Sequence, residues 1–373
     1  MYTQQSLQDT LFLMLYGGIA ILALVTGLYL WLRRSNAVLP EVTPPKALRR
    51  WTAAFFIMAA MSHVWWYVLG VYWLTDDRMI RNITAVTLDH ILLVPLVMAI
   101  LLRLLQNHQY RLWPWVLLQL PIFVSATVGI STHSVFYGFD LPTYWQLAVM
   151  TIFVLYYIYV LIHYGRWLRE NYADLEHKEV WQSLLFAAVL FIVYEVYFTN
   201  PGEMAREYLA QFETLAIIAF LLWRVETLQE LNAKETVMPE DIPDVEENDE
   251  STASIMTMVI PDNIQELLDK HCARRHLYLQ HDLTLQQLAT AIGTNRTYLS
   301  AYFTQQGITY NTYINRLRVE HFMRLYCDSI KSKRSVTAIQ LAQKSGFRSY
   351  STFATAFKTF NGLTVTAWMK NPT

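Results

Sequence analysis

The sequence predicts an all-α protein: a seven-transmembrane-helix bundle followed by a C-terminal domain with two helix-turn-helix units. Three observations lead there. First, 54% of the 373 residues are hydrophobic and only 16% are charged, with a mean hydropathy of +0.22. An ordinary soluble protein has about 25% charged residues, and disorder throughout is excluded because disordered chains are poor in apolar residues. Second, the net charge of −1 hides a split. Residues 1–255 carry 15 Lys and Arg against 24 Asp and Glu, net −9; residues 256–373 carry 14 against 6, net +8. Third, a helix–glycine–helix pattern recurs around Gly293 and Gly346 in the basic part. The chain therefore divides into a membrane domain (1–228), an acidic flexible linker (229–255) and a basic domain (256–373).

The membrane domain is read from segment length, since a hydrocarbon core is spanned by about 20 apolar residues in a helix. The seven segments are Leu11–Leu32, Trp51–Leu74, Thr84–Leu105, Leu112–Ile130, Pro142–His163, Val180–Thr199 and Tyr208–Val225. Pro114 and Pro121 interrupt the fourth, which membrane helices tolerate better than soluble ones. The first segment has no Lys or Arg before it and Arg33 and Arg34 after it, the pattern of a retained anchor rather than a cleaved signal peptide. Lys and Arg number 10 in the odd loops, against 3 in the N-terminus and even loops together. That bias places the N-terminus outside and the C-terminal domain in the cytoplasm. Trp51, Trp73, Trp113, Trp115, Trp145, Trp181 and Trp223 crowd the segment ends, where such rings favour the headgroup layer.

Ionisable groups inside the spans are His63, Asp89, His90, Glu195 and Glu213. A charge in lipid is expensive, so these are the candidate ligand pocket of the membrane domain. Asp89, His90, Glu195 and Glu213 fall in the outer halves of the third, sixth and seventh segments, which would share a polar cavity. Interhelical hydrogen bonding or snorkelling to the headgroups is the plainer role for the same residues. No HExxH, GxSxG or paired-carboxylate motif is present, so no catalytic residue and no enzyme is expected. Cys272 and Cys327 are the only cysteines and form no CxxC or Cys/His spacing, so neither a metal site nor a cofactor is expected.

The linker carries eight acidic residues and no basic one between Glu235 and Glu250, interrupted by Pro239 and Pro243. Such a like-charge run is solvated and acts as a tether.

The basic domain reads as short helices with their own start and stop signals. Asp262 and Gln265 have capping-box spacing before Ile264, Leu267 and Leu268, and Thr284 and Gln287 repeat it before Leu285, Leu288, Ala289 and Ile292. Gly293 ends that helix. Asn295 caps the next, whose inner face is Tyr298, Leu299, Tyr302 and Phe303. A longer helix follows over about Tyr310–Cys327, with Tyr313, Ile314, Leu317 and Leu325 on one side. Then Ser335 is placed to cap Val336–Ser345, Gly346 turns the chain, and Ser349 caps a helix with Phe353 and Phe357 one turn apart. Helix, glycine turn, helix is the helix-turn-helix pattern, and its second helix is of the size that enters a DNA major groove.

Three stretches, Leu283-Thr-Leu-Gln-Gln-Leu-Ala289, Tyr298-Leu-Ser300 and Asn315-Arg-Leu-Arg-Val-Glu320, resemble the first half of the AraC/XylS-type DNA-binding domain. Leu341-Ala342, Gly346-Phe347, Ser349, Phe353-x-x-x-Phe357-Lys358 and Gly362-Leu-Thr-Val-Thr-Ala-Trp368 resemble the second half. The family usually has proline where Val365 stands and arginine where Met369 stands. The resemblance covers about 110 of the 373 residues and does not reach the membrane domain. It implies two recognition helices docked in successive major grooves. Matching positions give Arg296, Thr297, Ser300 and Ala301 as base-reading in the first, and Arg348, Tyr350, Ser351, Ala354 and Thr355 in the second, with Lys358 beside them. Lys358, Arg316, Arg318, Lys331, Lys333 and Arg334 are candidate phosphate contacts; Arg316 and Arg318 are also placed for an ion pair with Glu320.

Together these readings predict a one-component transcription regulator held in the bacterial cytoplasmic membrane. Its expected partners are double-stranded DNA, the lipid bilayer, a small-molecule, lipid or proton signal, and a second copy of the chain in a homodimer. Two alternatives keep the same architecture: a membrane transporter or enzyme fused to a regulator, and an anchor from which proteolysis releases the regulator.

Overall fold

The computed structural model describes residues 7–40, 42–71, 78–132, 141–185, 188, 203–231, 263–332 and 336–370. Among these the protein is all-α; one isolated β-bridge joins Tyr172 and Thr284. The helices are α1 (Leu7–Leu32), α2 (Lys46–Val71), α3 (Arg78–Leu104), α4 (Trp113–Leu117), α5 (Leu120–Thr132), α6 (Leu141–Asn171) and α7 (Glu203–Thr227). After these come α8 (Ile264–Leu268), α9 (Leu285–Ile292), α10 (Arg296–Gln305), α11 (Tyr310–Lys331), α12 (Ala338–Lys344), α13 (Tyr350–Asn361) and α14 (Val365–Lys370).

Two compact units emerge. One comprises residues 1–162 and 180–231; the other comprises 163–179 and 232–373. Among the described residues five helices are long and apolar enough to cross a membrane: Thr10–Leu32, Lys46–Leu69, Thr87–Leu104, Tyr144–Asn171 and Glu207–Thr227. The count of seven is not exact. The fourth expected segment is divided into α4 and α5, with Pro114 and Pro121 each in a first turn, where a missing N–H is harmless. The sixth lies largely outside the described residues. The fifth, expected to end at His163, continues as helix to Asn171, because no proline interrupts Tyr164–Asn171.

Close packing of α1 on α2 depends on Gly27. A Cβ there would lie 2.9 Å from Ile57 Cγ1 and 3.2 Å from the Ala53 carbonyl oxygen. Small residues at such a contact let helix backbones approach where lipid supplies no hydrophobic drive; Ala23 and Ala53 are fully buried beside it. Near the same end of α1, Glu226 accepts from Tyr29 OH (2.8 Å) and from the Ala37 and Val38 amides (2.5 and 3.1 Å). Asn36 donates to the Glu226 and Val42 carbonyls, and Arg49 donates to Asn36 Oδ1. The Glu230 amide donates to the Thr43 carbonyl (2.7 Å) and the Leu231 amide to Gln106 Oε1 (2.8 Å). The first residues of the expected linker, 229–231, are thus clasped by side chains and backbone; its acidic run lies outside the described residues.

The second unit has two hydrophobic clusters strung on α11. Leu268, Cys272, Leu283, Leu288, Ile292, Leu299, Phe303 and Ile314 form the first, which Ala173 also joins. Val319, Phe322, Leu341, Phe347, Phe353, Phe357, Val365 and Trp368 form the second. One face of α11 therefore contributes to both, Ile314 near its start and Val319 and Phe322 further on.

Candidate nucleic-acid interface

Each recognition helix is set by local chemistry. Thr284 and Gln287 form a reciprocal capping box on α9: Gln287 N donates to Thr284 Oγ1 (3.2 Å), and Thr284 N donates to Gln287 Oε1 (3.0 Å). Gly293 closes α9 at φ 77°, and Asn295 Oδ1 accepts from the Tyr298 amide (2.8 Å) to start α10. Thr309 caps α11. In the second half the cap is Thr337, in a capping box with Gln340, rather than Ser335, which lies outside the described residues. Ser349 Oγ accepts from the Thr352 amide (3.3 Å) and starts α13. The first start signal also differs: Asp262 lies outside the described residues, and α8 begins after Asn263 without a side-chain cap.

The junction between the halves is built around Arg318. It is 1% exposed. Its Nε donates to the Tyr278 carbonyl (2.7 Å), and its Nη2 donates to those of Gln280 (2.6 Å) and His281 (3.3 Å). Burial pulls its pKa down, while Tyr310, Asp174 and Asp282 act the other way. The phosphate role expected for Arg318 is therefore corrected: the guanidinium holds an interior loop. Arg316 pairs with Glu320 at 4.0 Å on the exposed side of α11, as its spacing allowed. Gly346, at φ 90°, sits so close to this loop that a Cβ would lie 2.9 Å from Leu279 Cα and 3.0 Å from the Tyr278 and Leu279 carbonyl oxygens. His281 Nδ1 meets the Gly346 carbonyl at 3.0 Å.

On α10, Thr297 is exposed and Arg296 and Ser300 are half-buried. Ala301 is 2% exposed, so its expected base contact is corrected: its methyl group is inside the domain. On and beside α13, Arg348, Tyr350, Ser351, Thr355 and Lys358 are exposed and Ala354 is half-buried. Tyr350, Ala354, Thr355 and Lys358 share an open groove with Thr359 and Thr364. Lys331 is exposed, while Lys333 and Arg334 lie outside the described residues.

Arg296 and Arg348, the two arginines expected to read bases, both have partners in this structure. Arg296 Nε donates to Asn171 Oδ1 (3.0 Å). Arg348 Nη2 donates to Asp282 Oδ2 (2.5 Å), and its Nε faces Asp174 Oδ2 at 3.7 Å. Burial raises the Asp282 carboxyl, but Lys178 and Arg348 hold it below the usual carboxylate range. Asn171, Asp174 and Lys178 were not foreseen from the sequence; the only signal was a polar run following a long apolar segment.

Of the intramembrane candidates, His63, Asp89, His90 and Glu213 are among the described residues. Asp89 Oδ1 accepts from Ser62 Oγ (2.6 Å) and Trp65 Nε1 (3.2 Å), and Oδ2 accepts from Trp66 Nε1 (2.6 Å). These three donors are all on α2. His63 donates from Nδ1 to the Ala59 carbonyl (2.8 Å), and its Nε2 meets the Gln211 side chain at 3.1 Å. Tyr16 packs on its ring and donates to its carbonyl (2.6 Å). His90 and Glu213 are half-buried, and Glu195 lies outside the described residues. Among the described residues no group of three or more His, Cys, Asp or Glu is placed to hold a metal ion.

Two helix-turn-helix units on either side of a shared central helix define a DNA-binding domain. Residues 288–371 match the family model described as a helix-turn-helix domain, and this part of the chain is an AraC-type helix-turn-helix domain. No curated protein and no solved structure matches the chain.

Proposed function

We propose that this protein is a membrane-bound one-component transcription regulator that binds specific DNA with α10 and α13 under control of a signal sensed in the membrane domain. One observation carries the reading: an AraC-type helix-turn-helix domain follows, in one chain, five helices long and apolar enough to cross a membrane. DNA lies in the cytoplasm, so the C-terminal domain lies there too. The excess of Lys and Arg in the odd loops then puts the N-terminus outside the bacterial cytoplasmic membrane. The role is regulatory rather than catalytic. The partners are double-stranded DNA, bilayer lipid, a small-molecule, lipid or proton signal, and a second copy of the chain that brings two reading domains together.

Asp89 is the strongest candidate for the sensing side. Its carboxylate gathers three donors on α2 from a position on α3, and an ionisable residue within a membrane span is a functional-site candidate by default. The experiment is selection from a genomic fragment library with the full-length protein in lipid nanodiscs. Enrichment of a short shared motif supports the regulator reading; binding without sequence preference at every salt concentration rejects it.

A further inference from the structure

The chain between the fifth and sixth apolar segments does more than connect them. The last turns of α6 and the residues after them, His163–Glu179, belong to the same compact unit as the DNA-binding domain. We propose that this stretch is a built-in competitor of DNA: seated on the first helix-turn-helix unit, it occupies Arg296 and Arg348, and a duplex binds as it lifts away. The inference rests on the reading of those two arginines as DNA contacts.

The seat is specific at the level of backbone and core. The Ala173 amide donates to the Leu283 carbonyl (3.2 Å) within the Tyr172–Thr284 bridge. Asn311 Nδ2 donates to the Tyr172 and Ala173 carbonyls (3.2 and 2.8 Å). Ala173 is 1% exposed and is a member of the domain's first hydrophobic cluster. Lys178, 2% exposed, donates to Asp282 Oδ1 (3.2 Å). A solvated loop would show none of this.

The polar contacts then fall on the arginines that matter. A guanidinium offers five donors in a fixed fork and reads guanine or phosphate through their acceptor oxygens. In the stretch, Asn171 Oδ1 and the Asp174 carboxylate present acceptors of the same kind, and Asp282 of the domain itself adds a third. Asp174 is 3% exposed, and its Oδ2 is buried without a hydrogen-bond partner, so the facing charge of Arg348 compensates it. Drawing Arg348 onto DNA leaves a buried carboxylate uncompensated, which is strongly unfavourable. Engagement of DNA and seating of the stretch therefore oppose one another. The stretch also continues α6 without a break from Leu141 to Asn171, so a displacement of that helix reaches the reading arginines without passing through the acidic linker.

The test uses full-length protein in nanodiscs and duplexes enriched from a randomised library separately by the wild type and by an Asn171→Ala/Asp174→Asn double variant. The double variant is expected to bind its duplex more tightly than the wild type by about 5–150-fold, the usual range for coupling between two sites. Equal affinity, with Arg348→Ala weakening binding in both backgrounds, overturns the competition and leaves the DNA reading standing. If Arg296→Ala and Arg348→Ala bind as the wild type does, or if neither protein enriches any duplex, the DNA reading fails and the inference falls with it. Hydrogen exchange of the unmutated protein guards against a folding defect in the variant. Saturating duplex should speed exchange at the Ala173 amide, and unchanged protection there in the DNA-bound protein also overturns the proposal.

Discussion

The guanidinium of Arg318 lies 5.7 Å from the ring centre of Phe347, so a residue of the central helix stacks on the first residue after the second glycine turn. The same group donates to three carbonyls of the loop before α9. One side chain thus ties the two helix-turn-helix units to a common frame, and their spacing must be fixed if both are to meet successive major grooves. A buried acceptor that loses its donor costs about 1–3 kcal/mol, and Arg318 serves three such carbonyls. Arg318→Ala should lose stability on that scale in urea unfolding followed at the C-terminal domain. Arg318→Lys should recover little of it, because an ammonium lacks the planar fork that reaches several carbonyls and stacks on a ring.

The two turn glycines are expected to differ. Both Gly293 and Gly346 have positive φ, but a Cβ at Gly293 meets nothing within 4 Å, whereas one at Gly346 collides with backbone. Gly293→Ala should therefore cost about 1–2 kcal/mol, the strain of an L-residue in left-handed conformation. Gly346→Ala adds displacement of the Tyr278–Leu279 backbone and should cost clearly more. Thermal melts of the two variants beside the wild type check the order; equal losses would mean that the close approach does not matter.

Legibility in the sequence follows the range of the interaction. The boxes and caps at Thr284, Asn295 and Ser349 were readable because every partner lies within three residues. The inner faces of α10 and α13 were readable from helical periodicity. The AraC-type character of the domain was readable from spaced motifs, and the family match bears it out. Ala301 and Arg318 were misplaced because their burial is set by distant chain, and residue type alone makes an arginine among basic neighbours resemble a phosphate contact. The seat of Asn171 and Asp174 was invisible for the same reason: the hydrogen bond from Arg296 to Asn171 spans 125 residues. Span counting overshot at the fourth segment, where prolines split the helix, since hydropathy averages over such a break.

The two cysteines should behave as different thiols. Cys272 is buried, and that burial pushes its thiol up to about 12 from 9.0, against smaller opposing effects of a Tyr278 backbone hydrogen bond and Arg318. The reactive species is the thiolate. At pH 8 a thiol reagent should label Cys327, which is half-buried, and spare Cys272 until the domain is unfolded. Raising the pH to 9 should leave Cys272 unlabelled, since its thiolate is then still scarce. Two fast-reacting thiols in the native protein would contradict the packing around Cys272.

Asp89→Asn separates a sensing role from a purely structural one. Asparagine keeps one acceptor oxygen but turns an NH2 donor toward either the Trp66 indole N–H or the Ser62 and Trp65 donors, which now meet the two carboxylate oxygens. An unsatisfied buried donor costs about 1–3 kcal/mol. The variant is expected to bind the enriched duplex as the wild type does in nanodiscs, yet to give a blunted transcriptional response in cells carrying a reporter. A normal response would remove Asp89 from the sensing site.

Base reading and phosphate contact can be told apart at Arg348 and Lys358. Arg348 precedes α13 with its side chain one-third exposed, and Lys358 stands exposed on α13 beside the groove at Thr355 and Thr359. An arginine bidentate to guanine is worth about 1–3 kcal/mol of discrimination, whereas a lysine on phosphate acts on every sequence alike. Arg348→Ala should therefore narrow the gap between the enriched duplex and one altered at a single guanine. Lys358→Ala should weaken both duplexes by the same factor and reduce the slope of log affinity against log salt by about 1. If the two variants change affinity and salt slope identically, Arg348 contacts the backbone, and sequence discrimination must come from Arg296 and the short polar side chains of the two recognition helices.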